Sequence, residues 1–321
     1  MTSMTRVLSM AMGTPQPLGF TGILRESLQL PTRNVKLMVS NTLLVLIPFL
    51  ILAVSHDLIA GPLLMEVEDH DPDDGLTPEF QKHFQILMVL ESIFFLIFCI
   101  LSLFAMAMTV NASAATYTGK YLSLKDVFSR TMTTWKRPVI TCLYIVLIAM
   151  AYAFLVALLL GAFVLIADGS VLITCISLVG ILAFLFYLYI ALICLQGLAI
   201  SIVEETCYGI EALVKAEMLM KGRKLQGFAL MLFLLLLSAP VWALFSLNTV
   251  EDEIEPEYQV ALGIVGAVVV CLMKLFGFVV YTVLYYQCRS NIVEREDLEE
   301  GAKHKLVSTD ESDLHVIDSL S

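Results

Sequence analysis

Charged residues are scarce in this chain, and so are the motifs that usually mark an enzyme or a metal site. Asp, Glu, Lys and Arg make up 15% of the 321 residues, whereas soluble domains contain about 25%. The five histidines and seven cysteines do not follow zinc-binding spacings, and the chain has no phosphate-binding glycine loop and no nucleophile elbow. The sequence therefore predicts a protein that is not an enzyme and that binds no metal and no cofactor.

Apolar residues are abundant instead, at 59% of the chain. They form six runs that are each long enough to cross a hydrocarbon core of about 30 Å as a helix. These runs are Leu37–Ser55, Phe84–Ala112, Pro138–Ala167, Val171–Val203, Gly227–Val250 and Gln259–Gln287. The pattern predicts an all-α integral membrane protein with six transmembrane helices.

Positive charge lies on one side of these runs. Of the 19 Lys and Arg residues, 17 lie before the first run, after the last run, or in the segments 113–137 and 204–226. The other three loops, at 56–83, 168–170 and 251–258, contain only Lys82. Because cytoplasmic loops carry the excess of Lys and Arg, both termini are expected in the cytoplasm, with the protein in an endomembrane or the plasma membrane.

Three segments on the predicted cytoplasmic side mix apolar and charged residues at helical spacing. They are 18–36, 121–138 and 208–224, and each precedes a helix that leaves the cytoplasm. We interpret them as amphipathic helices that lie in the membrane interface, where Pro31, Pro138 and Gly222 end or interrupt them. The residues predicted to contact lipid, including anionic head groups, are Arg25, Lys125, Arg130, Leu213, Lys215 and Lys221.

The order of one interfacial helix and two spanning helices occurs three times, over 18–112, 117–203 and 205–287. Because the three copies have the same orientation, they could form a threefold parallel repeat. The alternative is that any multi-pass protein with short cytoplasmic loops shows the same order. The spans and interfacial helices form one membrane domain, 18–290, and we expect disorder in the N-terminal segment 1–17 and the acidic cytoplasmic tail 291–321.

Two ionisable residues, Glu91 and Lys274, lie inside the predicted spans, and such residues suggest a functional site by default. They could form a pair or line one cavity, although their predicted depths differ by about 12 Å. The alternative is that Glu91 faces the outer interface while Lys274 snorkels or packs among helices. Pro48 and Pro240 are predicted to kink the first and fifth helices, with or without a role in function.

Several segments resemble a known family of membrane proteins. IVEETCYGIEALVKAEMLMKGRKLQGF (202–228) combines a helix end, an amphipathic segment and a turn back to the membrane, and LGFTGILRESLQL (18–30), SLKDVFSRTMTTWKRP (123–138) and YYQCRSNIVE (285–294) resemble plant sequences. The chain is similar to plant multi-pass proteins of the YciC-like group, related to the membrane domain attached to some glycerophosphodiester phosphodiesterases. The resemblance implies six helices and no established activity, and the phosphodiesterase domain is absent.

The function expected from these features is a non-enzymatic protein that organises membranes or takes part in trafficking. Its partners would be the lipid bilayer, anionic lipid head groups and proteins bound through the cytoplasmic helices and tail, without nucleic acid. The alternative is a carrier of a small or lipidic solute, in which Glu91 and Lys274 would affect transport.

Overall fold

The computed structural model describes residues 19–68, 77–166, 169–248 and 261–290. Within these ranges the chain is helical and has no β-strand. The helices of the described residues are α1 Phe20–Arg33, α2 Val35–Glu68, α3 Pro78–Tyr117, α4 Leu124–Thr134, α5 Lys136–Ile166, α6 Gly169–Val203, α7 Ile210–Met220, α8 Lys224–Asn248 and α9 Ala261–Ser290. The two terminal segments predicted to be disordered, 1–17 and 291–321, lie outside the described residues.

Five helices are each long and apolar enough to cross a membrane: α2, α3, α5, α6 and α9. A sixth candidate is the pair α7 and α8, which meets the same criterion jointly and is bent by 106°. These helices confirm the all-α class and indicate a membrane protein with five or six spanning helices. Most helix ends lie within a few residues of the predicted runs, as Lys136–Ile166 does for the run Pro138–Ala167.

The segment 56–83 is not the loop that the sequence predicted, because much of it is helical. Helix α2 continues to Glu68, and α3 begins at Pro78. Polar side chains end an apolar run, but they leave the backbone hydrogen bonds of the helix intact. The start of α3 is fixed by Thr77, whose side chain accepts a hydrogen bond from the Phe80 amide at 3.2 Å, and by proline in the first turn.

The helix breakers between short and long helices act differently from one another. Pro31 lies inside α1, which continues to Arg33 and stops before Asn34, so the prediction that Pro31 ends or interrupts this helix was wrong. Pro138 lies in the first turn of α5, where a missing N–H is tolerated. Gly222 follows α7 with a φ of +100°, a conformation that favours glycine, and it separates α7 from α8.

The short helices α1, α4 and α7 pack against the same end of the long helices, which we call the capped end. Each short helix buries a face in a shared hydrophobic core. The buried residues are Ile23, Ser27 and Leu30 of α1, Val127 and Thr131 of α4, and Ala212, Leu213, Ala216, Leu219 and Met220 of α7. The core therefore joins the short helices to the long ones and fixes them at this end.

The opposite end of the long helices, which we call the open end, is much less packed. Apolar side chains there are exposed, for example Leu58 at 76%, Leu158 at 56% and Ile173 at 69%. In the most apolar part of α5, none of the residues is buried inside the protein. Lipid chains would cover such surfaces in a bilayer, because exposed apolar patches of this size are rare on soluble monomers.

Helix α7 packs closely on α6 at a glycine. A Cβ atom placed on Gly197 would lie 2.6 Å from Leu213 Cδ2 and 3.2 Å from Leu213 Cα. Helix backbones approach this closely only where one side chain is absent, as is common in membrane helix pairs. Leu213 is only 7% exposed, so the prediction that it contacts lipid was wrong. Its amphipathic pattern reflects packing on the protein.

Several polar side chains inside the core of the capped end find partners on neighbouring helices. Asn41 Nδ2 donates to Thr109 Oγ1 at 3.2 Å, and Asn111 Nδ2 donates to Thr131 Oγ1 at 3.1 Å. Gln196 Nε2 donates to the Tyr281 carbonyl at 3.3 Å. Because unpaired polar groups are costly in an apolar core, these bonds favour one arrangement of the helices over alternatives.

Candidate functional site: a cavity between three long helices

A cavity of about 340 Å³ lies between α2, α3 and α9, on the open side of the hydrophobic core. This volume is at the small end of the range of ligand pockets. Its lining residues are Phe49, Leu52, Ala53, His56 and Asp57 of α2, Glu91, Phe94, Phe95 and Phe98 of α3, and Ala267, Val270, Cys271 and Lys274 of α9. Aromatic rings and small apolar side chains therefore make up most of the wall, and four ionisable groups interrupt it.

The regular spacing of helical residues explains how this wall is built. Residues seven apart lie two turns apart on the same face of a helix. Phe49 and His56 are related in this way on α2, as are Glu91 and Phe98 on α3. On α9 the small residues Ala267, Val270 and Cys271 face the aromatic side, and their short side chains leave the space open.

One end of the cavity carries three ionisable residues that lie close together. His56 Nε2 lies 2.9 Å from Glu91 Oε1, and His56 Nδ1 lies 3.6 Å from Asp57 Oδ1. The imidazole and the Phe94 ring form a T-shaped pair, with ring centroids 5.1 Å apart. The imidazole thus lies between two carboxylates, and it orients Glu91 toward α2.

The other end carries Lys274, which is surrounded by aromatic rings. Its Nζ lies 4.1 Å from the centroid of the Phe98 ring and 5.9 Å from that of Phe49. It donates a long hydrogen bond of 3.4 Å to Ser102 Oγ. Among the described residues, no carboxylate oxygen lies within 4.0 Å of this ammonium group.

The structure brings the two predicted intramembrane residues to the same cavity without joining them. Glu91 pairs with His56, and Lys274 contacts Phe98, which follows Glu91 by two helical turns, or about 10 Å. His56 was not predicted to lie at this site, because its position was assigned to an outer loop. The spacing of seven between Phe49 and His56 was the signal that could have placed it on the same face.

The two prolines predicted to kink spanning helices both lie within helices. Pro48 lies inside α2 and Pro240 inside α8, and both helices continue past them. Within the described ranges, no group of three or more His, Cys, Asp or Glu side chains could hold a metal ion. The side chains that line the cavity offer charge, hydrogen bonds and apolar contact to a ligand.

The sequence matches a protein family over most of its length. The family is described as a domain of unknown function, DUF8558, and the match covers residues 12–308. The chain belongs to this family. No curated protein and no solved structure matches it. The DUF8558 region includes both the cavity and the capped end, so each is a feature of the family's own domain in this chain.

At the capped end of the DUF8558 region, four of the cations predicted to contact lipid are exposed: Arg25, Lys125, Arg130 and Lys221. Another, Lys215, has a protein partner instead. Its Nζ lies 2.5 Å from Glu204 Oε2, in the turn between α6 and α7.

Glu204 is the centre of a polar network that links α7 to α9. Its other oxygen, Oε1, accepts a hydrogen bond of 2.7 Å from the Tyr285 hydroxyl, which in turn accepts one of 3.2 Å from Arg289. Burial of the carboxyl opposes its ionisation, but the bonds from Lys215 and Tyr285 prevail and lower the pKa of Glu204. The network therefore contains an ionised carboxylate at neutral pH.

Proposed function

We propose that this protein is a non-enzymatic membrane protein that binds a small or lipidic solute in the cavity between α2, α3 and α9, and carries it within or across the membrane. The observation that supports this most is the position of Lys274 on the cavity wall. Its ammonium contacts ring faces and one hydroxyl, and no described carboxylate neutralises it.

The energetic argument rests on the cost of that lysine. A Lys at the centre of a membrane helix costs about 2.5–3.5 kcal/mol on insertion scales. Cation–π contacts such as those with Phe98 and Phe49 contribute about 0.5–2 kcal/mol. The contacts thus offset only part of the cost, whereas a methionine would fill the same space without it. A ligand that uses the charge explains why a lysine is useful there.

Lipid analysis of the purified protein tests this proposal. Ala267→Trp would fill the cavity, and Ala157→Trp, on an exposed face of α5, is the matched control. We expect a small molecule or lipid to copurify with the unaltered chain and with Ala157→Trp, and to be lost from Ala267→Trp. Equal amounts of every copurified species in all three proteins would contradict the binding function.

A second candidate function is membrane organisation, which the exposed side of the short helices favours. Apolar residues there are exposed, including Phe128 at 40%, Val214 at 52% and Met218 at 57%. Phe128 lies on α4 with the exposed cations Lys125 and Arg130, and the exposed Lys221 directly follows α7, which carries Val214 and Met218. Each such charge near anionic lipid contributes about 1 kcal/mol. We propose that this side contacts the cytoplasmic leaflet or a protein partner.

The test of this second function must avoid residues that hold the fold together. Leu213 is buried, so its substitution would disturb the α6–α7 packing; Val214 and Met218 are better positions. The double variant Val214→Asp/Met218→Asp should keep its thermal stability and lose association with anionic lipid or partners in native membranes. Lys82→Gln, at the open end of α3, is the control and should change neither the thermal stability nor the association. Normal association of the double variant would rule out this role.

We further propose that the capped end is cytoplasmic, that α8 is the sixth span, and that both termini are therefore on the cytoplasmic side. The order of one short and two long helices, repeated three times from α1 to α9, supports a threefold parallel repeat. The proposed resemblance to YciC-like plant proteins implies six spanning helices, which requires α8 to be the sixth. Accessibility labelling of single cysteines in 69–76 and at Lys221 tests the topology. Labelling of both positions from the same side would contradict it.

A further inference from the structure

The two charged ends of the cavity are not equivalent. The carboxylate of Glu91 already has a partner, because His56 Nε2 lies 2.9 Å away. The ammonium of Lys274 has only ring faces and the Ser102 hydroxyl, at 3.4 Å, within the described part of the chain. Of these two charged groups, Lys274 is therefore the one that a ligand of opposite charge, an anion, would stabilise.

The space next to Lys274 is apolar. Phe94 and Phe95 lie between Glu91 and Phe98 on α3, and Phe49 stands opposite on α2. On α3 the rings of this aromatic stretch, from Phe94 to Phe98, cover a rise of about 6 Å, and Glu91 lies about 5 Å beyond them. A ligand that contacts both Lys274 and this stretch needs one anionic group attached to a short apolar body.

We propose that the cavity binds a small amphiphilic monoanion, with its carboxylate on Lys274 Nζ and its chain along the Phe49–Phe98 aromatic stretch. This inference rests on the proposed binding function and specifies its ligand class. One ammonium group and one hydroxyl, from Ser102, match a singly charged head group. A multiply charged phosphate would need further cations, and none lines this cavity among the described residues except His56, which is bound to Glu91.

The charge of the ligand can be separated from its apolar character with three probes that share one chain length. Labelled octanoate is equilibrated with the full chain in phosphatidylcholine nanodiscs, with empty nanodiscs as the blank. Octanol and octylammonium are then added as competitors. We expect saturable octanoate binding, and competition by octanol and octylammonium that is about tenfold weaker or more, the equivalent of one charge-assisted hydrogen bond.

Substitutions assign that preference to a residue. Lys274→Met should lower octanoate affinity about tenfold or more while leaving octanol affinity unchanged, because it removes the charge and retains the volume. Lys82→Met, a lysine outside the cavity, should change neither affinity. If Lys274→Met does not fold, the competition series on the unaltered chain still decides the question, since it requires no variant.

The contradicting outcomes distinguish this inference from the function on which it rests. If octanol competes as well as octanoate, the cavity binds apolar molecules and the anion preference is wrong. If octylammonium competes best, the carboxylates at the His56 end set the specificity and the inference is again wrong. If octanoate shows no saturable binding, the ligand class is wrong, and the binding function itself fails only if Ala267→Trp also leaves the copurified species unchanged.

Discussion

The contact between Gly197 and Leu213 gives a sharp prediction about how the capped end is held together. Gly197→Ala would place a methyl carbon 2.6 Å from Leu213 Cδ2 and 3.2 Å from Leu213 Cα. The first clash can be relieved by a side-chain rotation, but the second involves the backbone of α7. The substitution should therefore force α6 and α7 apart.

The expected magnitude follows from two opposing effects. Overpacking costs about 1–3 kcal/mol. Alanine in place of glycine inside a helix returns about 0.5–1 kcal/mol, because glycine loses more conformational entropy. We therefore expect Gly197→Ala to lower the free energy of unfolding by about 0.5–2 kcal/mol, measured by thermal or detergent-induced unfolding in micelles.

Gly180 provides a matched control on the same helix. A Cβ atom there would meet nothing within 4 Å, so Gly180→Ala should be neutral or stabilising by up to about 1 kcal/mol. Leu213→Ala should cost about 2–5 kcal/mol by leaving a cavity. In the double variant Gly197→Ala/Leu213→Ala the side-chain clash is absent, so the combined loss should be smaller than the sum of the two by at least about 0.5 kcal/mol. Equal stabilities for Gly197→Ala and Gly180→Ala would refute the close packing of α6 and α7.

Three further predictions concern charged and polar groups. Glu204→Gln should destabilise the capped end by about 1–3 kcal/mol near pH 7. Folding lowers the pKa of Glu204, so the stabilisation from its carboxylate is present above the ordinary carboxyl pKa and is lost as the pH falls through the lower folded value. Thermal melts of the unaltered protein and Glu204→Gln should therefore converge in acid. Lys274→Met should leave the unliganded protein about 1–2 kcal/mol more stable in the same unfolding assay, since the desolvation of its charge is no longer required; a less stable variant would show that its contacts outweigh that cost. Asn111, in the sequence Asn-Ala-Ser, is buried and donates to Thr131, so it should carry no sugar when the protein is made in a glycosylating cell, and a mass shift at that residue would contradict its placement.

The sequence predicted the long helices well because lipid imposes a simple requirement on them. Every span must be apolar over about 20 residues, and that signal is visible without tertiary information. The signal fails where helices extend beyond the apolar run, as α2 does from His56 to Glu68. There His56, Asp57 and the Gly61–Pro62 pair interrupt the apolar pattern, but the helix continues through the apolar residues that follow, so the predicted boundary was too early.

The candidate site could be predicted only in part. Glu91 and Lys274 were identifiable because ionisable residues stand out in apolar runs. Their partners were not, because contacts between α2, α3 and α9 depend on how the helices are rotated and aligned. Leu213 shows the same limit: an apolar stripe on a helix indicates a surface that avoids water, but it does not distinguish lipid from protein as the material that covers it.

The uneven packing of the long helices has a mechanical consequence. At the capped end, the buried side chains of Ile23, Val127 and Leu213 pack the three short helices against the long ones, whereas the long helices bury fewer side chains at the open end. The cavity lies just past the last tight layer, formed by residues such as Ala105 and Cys271. A tilt of the open ends of the long helices about this layer would widen the cavity toward the surrounding lipid and leave the packing at the capped end intact. A ligand could then exchange between the cavity and the lipid without unfolding of the hydrophobic core.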